Sequence, residues 1–181
     1  RYYFIDDAFK EDFGHQILME MQEAPKFVEW SQNLIKPFLG NIVLEVGAGI
    51  GRNVQQLLFA SDKVIATDYE EKYIDILNNL FANSPDVTIC QWDINHSPDT
   101  IKIKPDTVYC SNVLEHIENE DVALQNIHQV LDDNGKLILI VPQGKFLFSS
   151  LDKSLGHFRR YSRTSLFDVL DANGYQIEKT L

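Results

Sequence analysis

The stretch Val43-Leu44-Glu45-Val46-Gly47-Ala48-Gly49-Ile50-Gly51 decides how this chain is read. Residues 42–46 form an apolar run interrupted by one acid, Glu45, which is the pattern of a buried strand. The three glycines that follow permit backbone angles, and a closeness of ligand approach, that side chains would block. A helix is expected from near Arg52. A strand, a glycine turn and a helix N-terminus in succession set free N–H groups beside a pocket at the carboxyl end of a sheet, a place suited to a nucleotide-like ligand.

Working outward, strand and helix patterns alternate. Val54, Leu57 and Leu58 give a first crossover helix its inner face, and residues 63–67 form a second strand that closes on Asp68. Residues 70–83 carry Tyr73, Ile74, Leu77, Leu80 and Phe81 at helical steps, and Ser84-Pro85-Asp86 ends them. A third strand over 87–92 closes on Asp93, a polar loop runs to Lys104, and residues 107–111 are the fourth strand. Residues 119–131 read as a helix with Leu124, Ile127 and Leu131 inward, stopped by Asp132-Asp133-Asn134-Gly135. A fifth strand over 136–141 is broken by Pro142, and a loop rich in Phe, Ser and Lys follows. Ser162 can cap a helix bearing Leu166, Phe167 and Leu170, Asn173-Gly174 ends it, and residues 175–181 begin a further strand. The alternation predicts an α/β fold: a doubly wound, mostly parallel sheet with helices on both faces and right-handed crossovers.

Upstream of the first strand, residues 1–14 mix aromatics with acids and suit a flap or partner-packed segment. Residues 15–38 show two helical stripes parted by Pro25. The expected organisation is one domain, with an N-terminal flap and helices over 1–40 packed on a ligand-binding core over 41–181.

The composition narrows the classes of partner. At 181 residues and 44% hydrophobic the chain is long enough for one sizeable core. Its net charge of −11 repels a phosphate backbone, which argues against generic nucleic-acid binding. No apolar run approaches the roughly 20 residues that span a bilayer, and no signal peptide is visible, so a cytoplasmic location is expected. The first residue is Arg1 rather than Met, which implies residues upstream. Cys90 and Cys110 fall in expected strands, and in the sheet order given below as what a family resemblance implies those strands lie three steps, about 14 Å, apart. The cysteines are read as buried reduced thiols rather than a disulfide or a zinc pair.

Asp68 follows Gly47 by 21 positions, at the end of the second strand, where a doubly wound fold holds a ribose-binding acid. The same residue precedes a helix, so capping is the alternative. A dinucleotide fingerprint would need glycine at position 52, where Arg52 stands, and the glycine lies at Gly51 instead. This turn, led by Leu44-Glu45-Val46, resembles the first motif of class I S-adenosylmethionine-dependent methyltransferases. So do Asp68, the phrase Trp92-Asp93-Ile94, and the run from Asp106 through Asn112-Val113-Leu114-Glu115-His116-Ile117, which is similar to the family's fourth motif. Ala24-Pro25-Lys26-Phe27 and Leu155-Gly156-His157-Phe158-Arg159-Arg160-Tyr161 further resemble a bacterial subgroup often associated with glycosyltransferases.

The resemblance implies a Rossmann-like methyltransferase fold with strand order three-two-one-four-five-seven-six, the seventh strand antiparallel, of which this sequence ends in the sixth. It makes residues 41–181 an S-adenosylmethionine-binding core and S-adenosylhomocysteine the product. It implies that Gly47, Ala48 and Gly49 approach the cofactor's amino-acid end, with Glu45 touching the ligand or bracing the turn through the backbone. Asp68 would hold the ribose, Asp93 the adenine amino group, Tyr69 and Ile94 the ring faces, and Asn112 and Val113 the methionine end. The implied reaction is methyl transfer to a small-molecule or glycan-related acceptor, most simply on oxygen. The alternatives are a nicotinamide-dependent oxidoreductase or a noncatalytic cofactor-binding domain.

A hydroxyl acceptor needs a base, for which His116 and His157 are the candidates; the competing reading is that both histidines orient the turn. A related methyltransferase group holds a divalent metal through acid-x-x-Glu-His, but Asn112 stands in the place of that acid, so no metal site is expected. Arg159, Arg160 and Tyr161 are expected at the acceptor, where the arginines would recognise an anionic group or else brace the loop to Glu11 and Asp12.

Overall fold

The computed structural model describes residues 33–180. Five strands, β1 (Ile42–Val46), β2 (Lys63–Asp68), β3 (Val87–Gln91), β4 (Thr107–Ser111) and β5 (Lys136–Ile140), form one sheet in the order β3-β2-β1-β4-β5. Every neighbouring pair is parallel. The order reverses between β1 and β4, so the segments leaving these two strands turn to opposite faces and open a crevice at their carboxyl ends.

Helices α1 (Arg52–Leu58) and α2 (Glu71–Leu80) cover one face of the sheet. The other face is covered by α3 (Glu120–Val130) and α5 (Arg163–Ala172), while the short α4 (Ser150–Ser154) lies in the loop after β5. Strand alternation sorts the side chains between two cores. Leu44 and Val46 of β1 join Ile65, Val108 and Cys110 under α3, whereas Val43 joins Val64, Ala66 and Tyr109 under α1 and α2. Glu45 therefore points to the α1 side, between apolar neighbours.

Element bounds follow the expected pattern closely. β2 takes in Asp68, β3 and β5 each stop a residue early, and α2 ends at Leu80 because residues 81–83 form a turn. The region read as a plain loop after β5 contains a 3-10 turn at Lys145–Leu147 and α4, the latter closed by a capping box between Ser149 and Asp152.

The predicted strand over 175–181 is not formed: residues 175–180 have no regular structure. In the expected order the sixth strand pairs with a seventh, and no such partner occurs among the described residues. A lone strand would leave its backbone groups without a ladder.

Of the predicted N-terminal helices only the end is described. Residues 33–35 are helical, a 3-10 turn follows at Lys36–Phe38, and Ile35 is buried in the core under α1 and α2. The flap over 1–14, the break at Pro25 and most of 15–38 lie outside the described residues. Cys90 on β3 and Cys110 on β4 are separated by β2 and β1 and are both free thiols. Burial pushes the Cys110 pKa up to about 12, so this thiol stays protonated. No helix among the described residues is long and apolar enough to cross a membrane.

Candidate active site

The glycine turn is shaped from both sides. Gly47 and Gly49 have φ of 69° and 53°, in the left-handed region. A Cβ on Gly47 would stand 2.7 Å from Val113 Cγ2, so the turn presses against the residue just past the tip of β4. A Cβ on Gly49 would meet nothing within 4 Å, so the space before it is open to a ligand. Ala48 N donates to Thr67 O at 2.8 Å and Gly49 N to Asp68 Oδ2 at 2.9 Å, which ties the turn to the end of β2.

Asp68 braces the entry to α2, whose N-cap is Glu70. Its Oδ1 accepts from Glu70 N at 3.0 Å as the chain enters α2, and the residue is 5% exposed beside the open turn. Burial raises its pKa, and the N–H groups of Glu70 and Gly49 work against that rise. Glu45, at 1% exposure, differs from the expected backbone brace: its Oε1 accepts from the Asn53 side chain at 2.8 Å, and its Oε2 has no partner. Burial pushes its pKa to about 8, with Asn53 opposing and Asp68 adding to the rise.

On the β3 side, Trp92 N donates to Asp68 O at 2.9 Å and so sets Asp93 beside the end of β2. Asp93 Oδ1 accepts from Asn95 N and Nδ2, each at 2.9 Å, and Oδ2 meets His96 Nδ1 at 3.1 Å. Tyr69 is 63% exposed next to Asp68, while Ile94 is buried in the core under α3. Beyond β4, Asn112 takes a left-handed φ of 53° and donates its N–H to Ile140 O at 2.9 Å. That bond links the tips of β4 and β5 and leaves Asn112 exposed and Val113 against Gly47.

Past Val113 the chain makes a 3-10 turn, Leu114–His116, and there it meets the loop that follows α4. His116 and His157 lie with ring centroids 4.6 Å apart and planes perpendicular. One donor atom from each of Glu115, His116 and His157 lies within 4.8 Å of the others. Removal from water, then the neighbouring His157, pushes the His116 pKa down to about 4; the residue as a whole is exposed, but the proximity of the two rings supports that direction. Glu115 is 1% exposed and burial pushes its pKa up to about 7.

A buried carboxylate, Asp152, organises this edge. Its Oδ1 meets His157 Nδ1 at 3.1 Å and accepts from Arg160 Nε at 2.6 Å, and its Oδ2 accepts from Ser149 N at 2.8 Å. The Arg160 guanidinium holds this carboxyl well below the usual range. Phe158 N donates to Glu115 O at 2.8 Å. Arg159 donates to Ile117 O at 2.6 Å, Glu118 O at 2.7 Å and Glu120 Oε2 at 3.2 Å, and Tyr161 OH donates to Glu120 Oε2 at 2.5 Å.

The guanidinium and phenol groups expected at the acceptor are thus bonded to the protein itself. The bracing alternative named Glu11 and Asp12, which lie outside the described residues; the partners seen are Asp152, Glu120 and two carbonyls. Asp152 and Glu120 were not singled out from sequence, and the one available signal was the Ser149-x-x-Asp152 spelling of a capping box.

Residues 44–137 match the model of a family described as a methyltransferase domain. An uncharacterized methyltransferase of Schizosaccharomyces pombe is 28% identical over 137 residues, covering 75% of this chain and 53% of that protein. The ribosomal RNA small subunit methyltransferase A of Bacillus cytotoxicus is 30% identical over 87 residues, 48% of this chain and 28% of the relative. The chain thus spans about half of the first relative's length and less of the second's. Among solved structures, the phosphoethanolamine N-methyltransferase 2 of Haemonchus contortus, in complex with phosphomonomethylethanolamine and S-adenosylhomocysteine, superposes with a TM-score of 0.66 at 19% identity. That likeness covers 80% of this chain and 37% of the other, and it shows a shared fold. Because the family match runs from the first strand into the fifth, over half of the 181 residues, the chain belongs to the methyltransferase-domain family, among the class I S-adenosylmethionine-dependent methyltransferases.

Proposed function

We propose that this protein transfers the methyl group of S-adenosylmethionine to an oxygen of a small-molecule or glycan-related acceptor and releases S-adenosylhomocysteine. The observation that carries the reading is the open space before Gly49, whose N–H is held by Asp68, in a turn that presses through Gly47 on Val113, the residue leading into the 3-10 turn of His116. In this reading the backbone of Gly47, Ala48 and Gly49, with Glu45 behind it, receives the amino-acid end. Asp68 keeps unused lone pairs for the ribose hydroxyls, because each carboxylate oxygen has room for a second bond. Asp93 takes the adenine amino group, Tyr69 offers a ring face, Ile94 closes the floor, and Asn112 and Val113 line the methionine end.

The chemistry asks for alignment more than for covalent help. An acceptor oxygen lone pair forms the new C–O bond, the C–S pair returns to sulfur, and the sulfonium becomes a neutral thioether. Holding the three atoms in line can supply about 7–11 kcal/mol of the acceleration in ideal cases. The hydroxyl must also shed its proton, and Glu115, His116 and His157 gather polar groups for that step at the acceptor edge. Arg159 and Arg160 act here by positioning, since they hold the loop that carries His157. A ribosomal RNA acceptor, as named for the Bacillus relative, is disfavoured by the net charge of −11.

Calorimetry tests the reading directly. S-adenosylmethionine and S-adenosylhomocysteine should bind with Kd in the low-micromolar range, about −8 kcal/mol. No heat with either, together with saturable NADH binding, would replace it with the oxidoreductase. Cofactor binding without transfer to any acceptor in a labelled-methyl screen of sugars and phenols would leave a noncatalytic domain.

A further inference from the structure

The expectation of no metal considered residues 112–116 alone, where Asn112 replaces an acid. The fold adds a donor from a distant segment. We propose that Glu115, His116 and His157 bind a divalent first-row transition ion of the zinc class, with open positions for an acceptor oxygen. The role given to the acceptor rests on the proposed methyl transfer; the ion site does not.

The donor set comes first. Two imidazoles and one carboxylate suit zinc, manganese or ferrous iron, whereas magnesium and calcium prefer all-oxygen cages. The donor atoms lie within 4.8 Å of one another without an ion. In a tetrahedral complex with bonds of about 2.0–2.1 Å they would be about 3.3 Å apart, so modest swings of the two rings complete the site.

The surroundings fit the same purpose. A ligating histidine normally donates its other ring N–H to a carboxylate or carbonyl, which fixes the tautomer and frees the second nitrogen. His157 Nδ1 does so to Asp152, itself locked by Arg160 and Ser149, so His157 Nε2 carries the free lone pair. The His116 ring stands perpendicular to that of His157, with centroids 4.6 Å apart, so the two imidazoles lie close enough to share one ion. The two segments of the cluster are clamped by Phe158 N on Glu115 O and by Arg159 on Ile117 O and Glu118 O.

Glu115 supplies the independent observation. Its Oε2 is buried without a hydrogen-bond partner in a residue 1% exposed, an arrangement that costs free energy unless something answers it. A bare His116–His157 proton relay leaves that oxygen unanswered, and a cation does not. With the ion in place, an acceptor hydroxyl entering an open position becomes more acidic and loses its proton to water, and the ion's oxidation state is unchanged throughout.

The test titrates chelator-stripped full-length protein with Zn²⁺, and separately with Mg²⁺, by calorimetry, and records the visible spectrum on adding Co²⁺. One Zn²⁺ per chain with micromolar or tighter Kd, no Mg²⁺ binding at millimolar concentration, and cobalt d–d bands are expected. Glu115→Gln and the His116→Gln/His157→Gln pair, checked for folding by circular dichroism, should weaken Zn²⁺ at least 100-fold and abolish the bands. Asp152→Asn should weaken it about 10–100-fold through the loss of the partner behind His157. Zn²⁺ binding that is absent in the parent, or equal in the histidine variant, overturns the site. Normal S-adenosylmethionine binding with no Zn²⁺ site sinks this inference alone; an intact Zn²⁺ site with no cofactor binding sinks the methyltransferase reading and leaves the ion standing.

Discussion

The two sides of the crevice are built differently. On the β1–β2 side, the groups offered to a ligand come from one short turn and the end of the adjoining strand, joined by backbone N–H groups that the parallel register brings into place: Ala48 N to Thr67 O, and Gly49 N to the Asp68 carboxylate. On the β4–β5 side, the groups come from segments as far apart as Ile117 and Arg159, separated by 42 positions, and side chains add to the joining made by Phe158 N on Glu115 O and Asn112 N on Ile140 O. The first side tolerates little change in backbone shape. The second tolerates little change in side-chain identity, because Asp152 and Glu120 each hold more than one donor.

Three measurements break or sharpen this contrast, the largest effect first. Glu45 is an acid whose folded pKa lies near 8, above its unfolded value, so between those pH values the native state holds a proton that the unfolded state has lost. Its contribution to stability is therefore present at low pH and lost as pH rises toward 8, at up to about 1.4 kcal/mol per pH unit and a few kcal/mol in all. Glu45→Gln should remove that slope, so urea midpoints of parent and variant should differ more in the variant's favour at pH 8 than at pH 5. A constant difference across the range would show that Glu45 is ionised in the fold.

Next come the two glycines. Gly47→Ala meets both a left-handed φ and the Val113 contact, and should cost about 2–4 kcal/mol in urea unfolding. Gly49→Ala meets only the φ, and should cost about 1–2 kcal/mol. It should still weaken S-adenosylmethionine, because the new methyl enters the open space that the proposed function gives to the ligand. Val113→Ala should restore part of the loss in Gly47→Ala and none in Gly49→Ala. Equal losses at both glycines would mean that the press against Val113 contributes nothing.

The smallest effect belongs to the other side. Tyr161→Phe removes the hydroxyl that Glu120 accepts while Arg159 still reaches that carboxylate, so a loss of about 1 kcal/mol is expected. Cofactor affinity should be unchanged, which a paired calorimetric titration checks. A drop in cofactor affinity as large as that of Gly49→Ala would erase the division between the two sides.

Much of the first side was legible in the sequence. Periodicity marked the strands of the sheet, the glycines marked the turn, and the chain spacing from Gly47 put Asp68 at the strand end where it is found. Such features depend on neighbours in sequence or on the fixed register of parallel strands, and both leave a trace in residue order. Even here Asn53 as the partner of Glu45 escaped notice, because an asparagine in a helix carries no mark of the strand beneath it.

By itself, then, the sequence determined the class of fold and the turn that opens the crevice, since burial and backbone conformation impose period and composition locally, while the strand order followed only from the family resemblance. Only the tertiary structure decided that Arg159 and Arg160 turn back onto the protein, that residues 175–180 form no strand, and that Glu115, His116 and His157 meet. The physical reason is reach. Those contacts depend on the path of the loop after β5 across the sheet's carboxyl edge, and on whether a strand has a neighbour to bond, and neither is written in the period of any one segment.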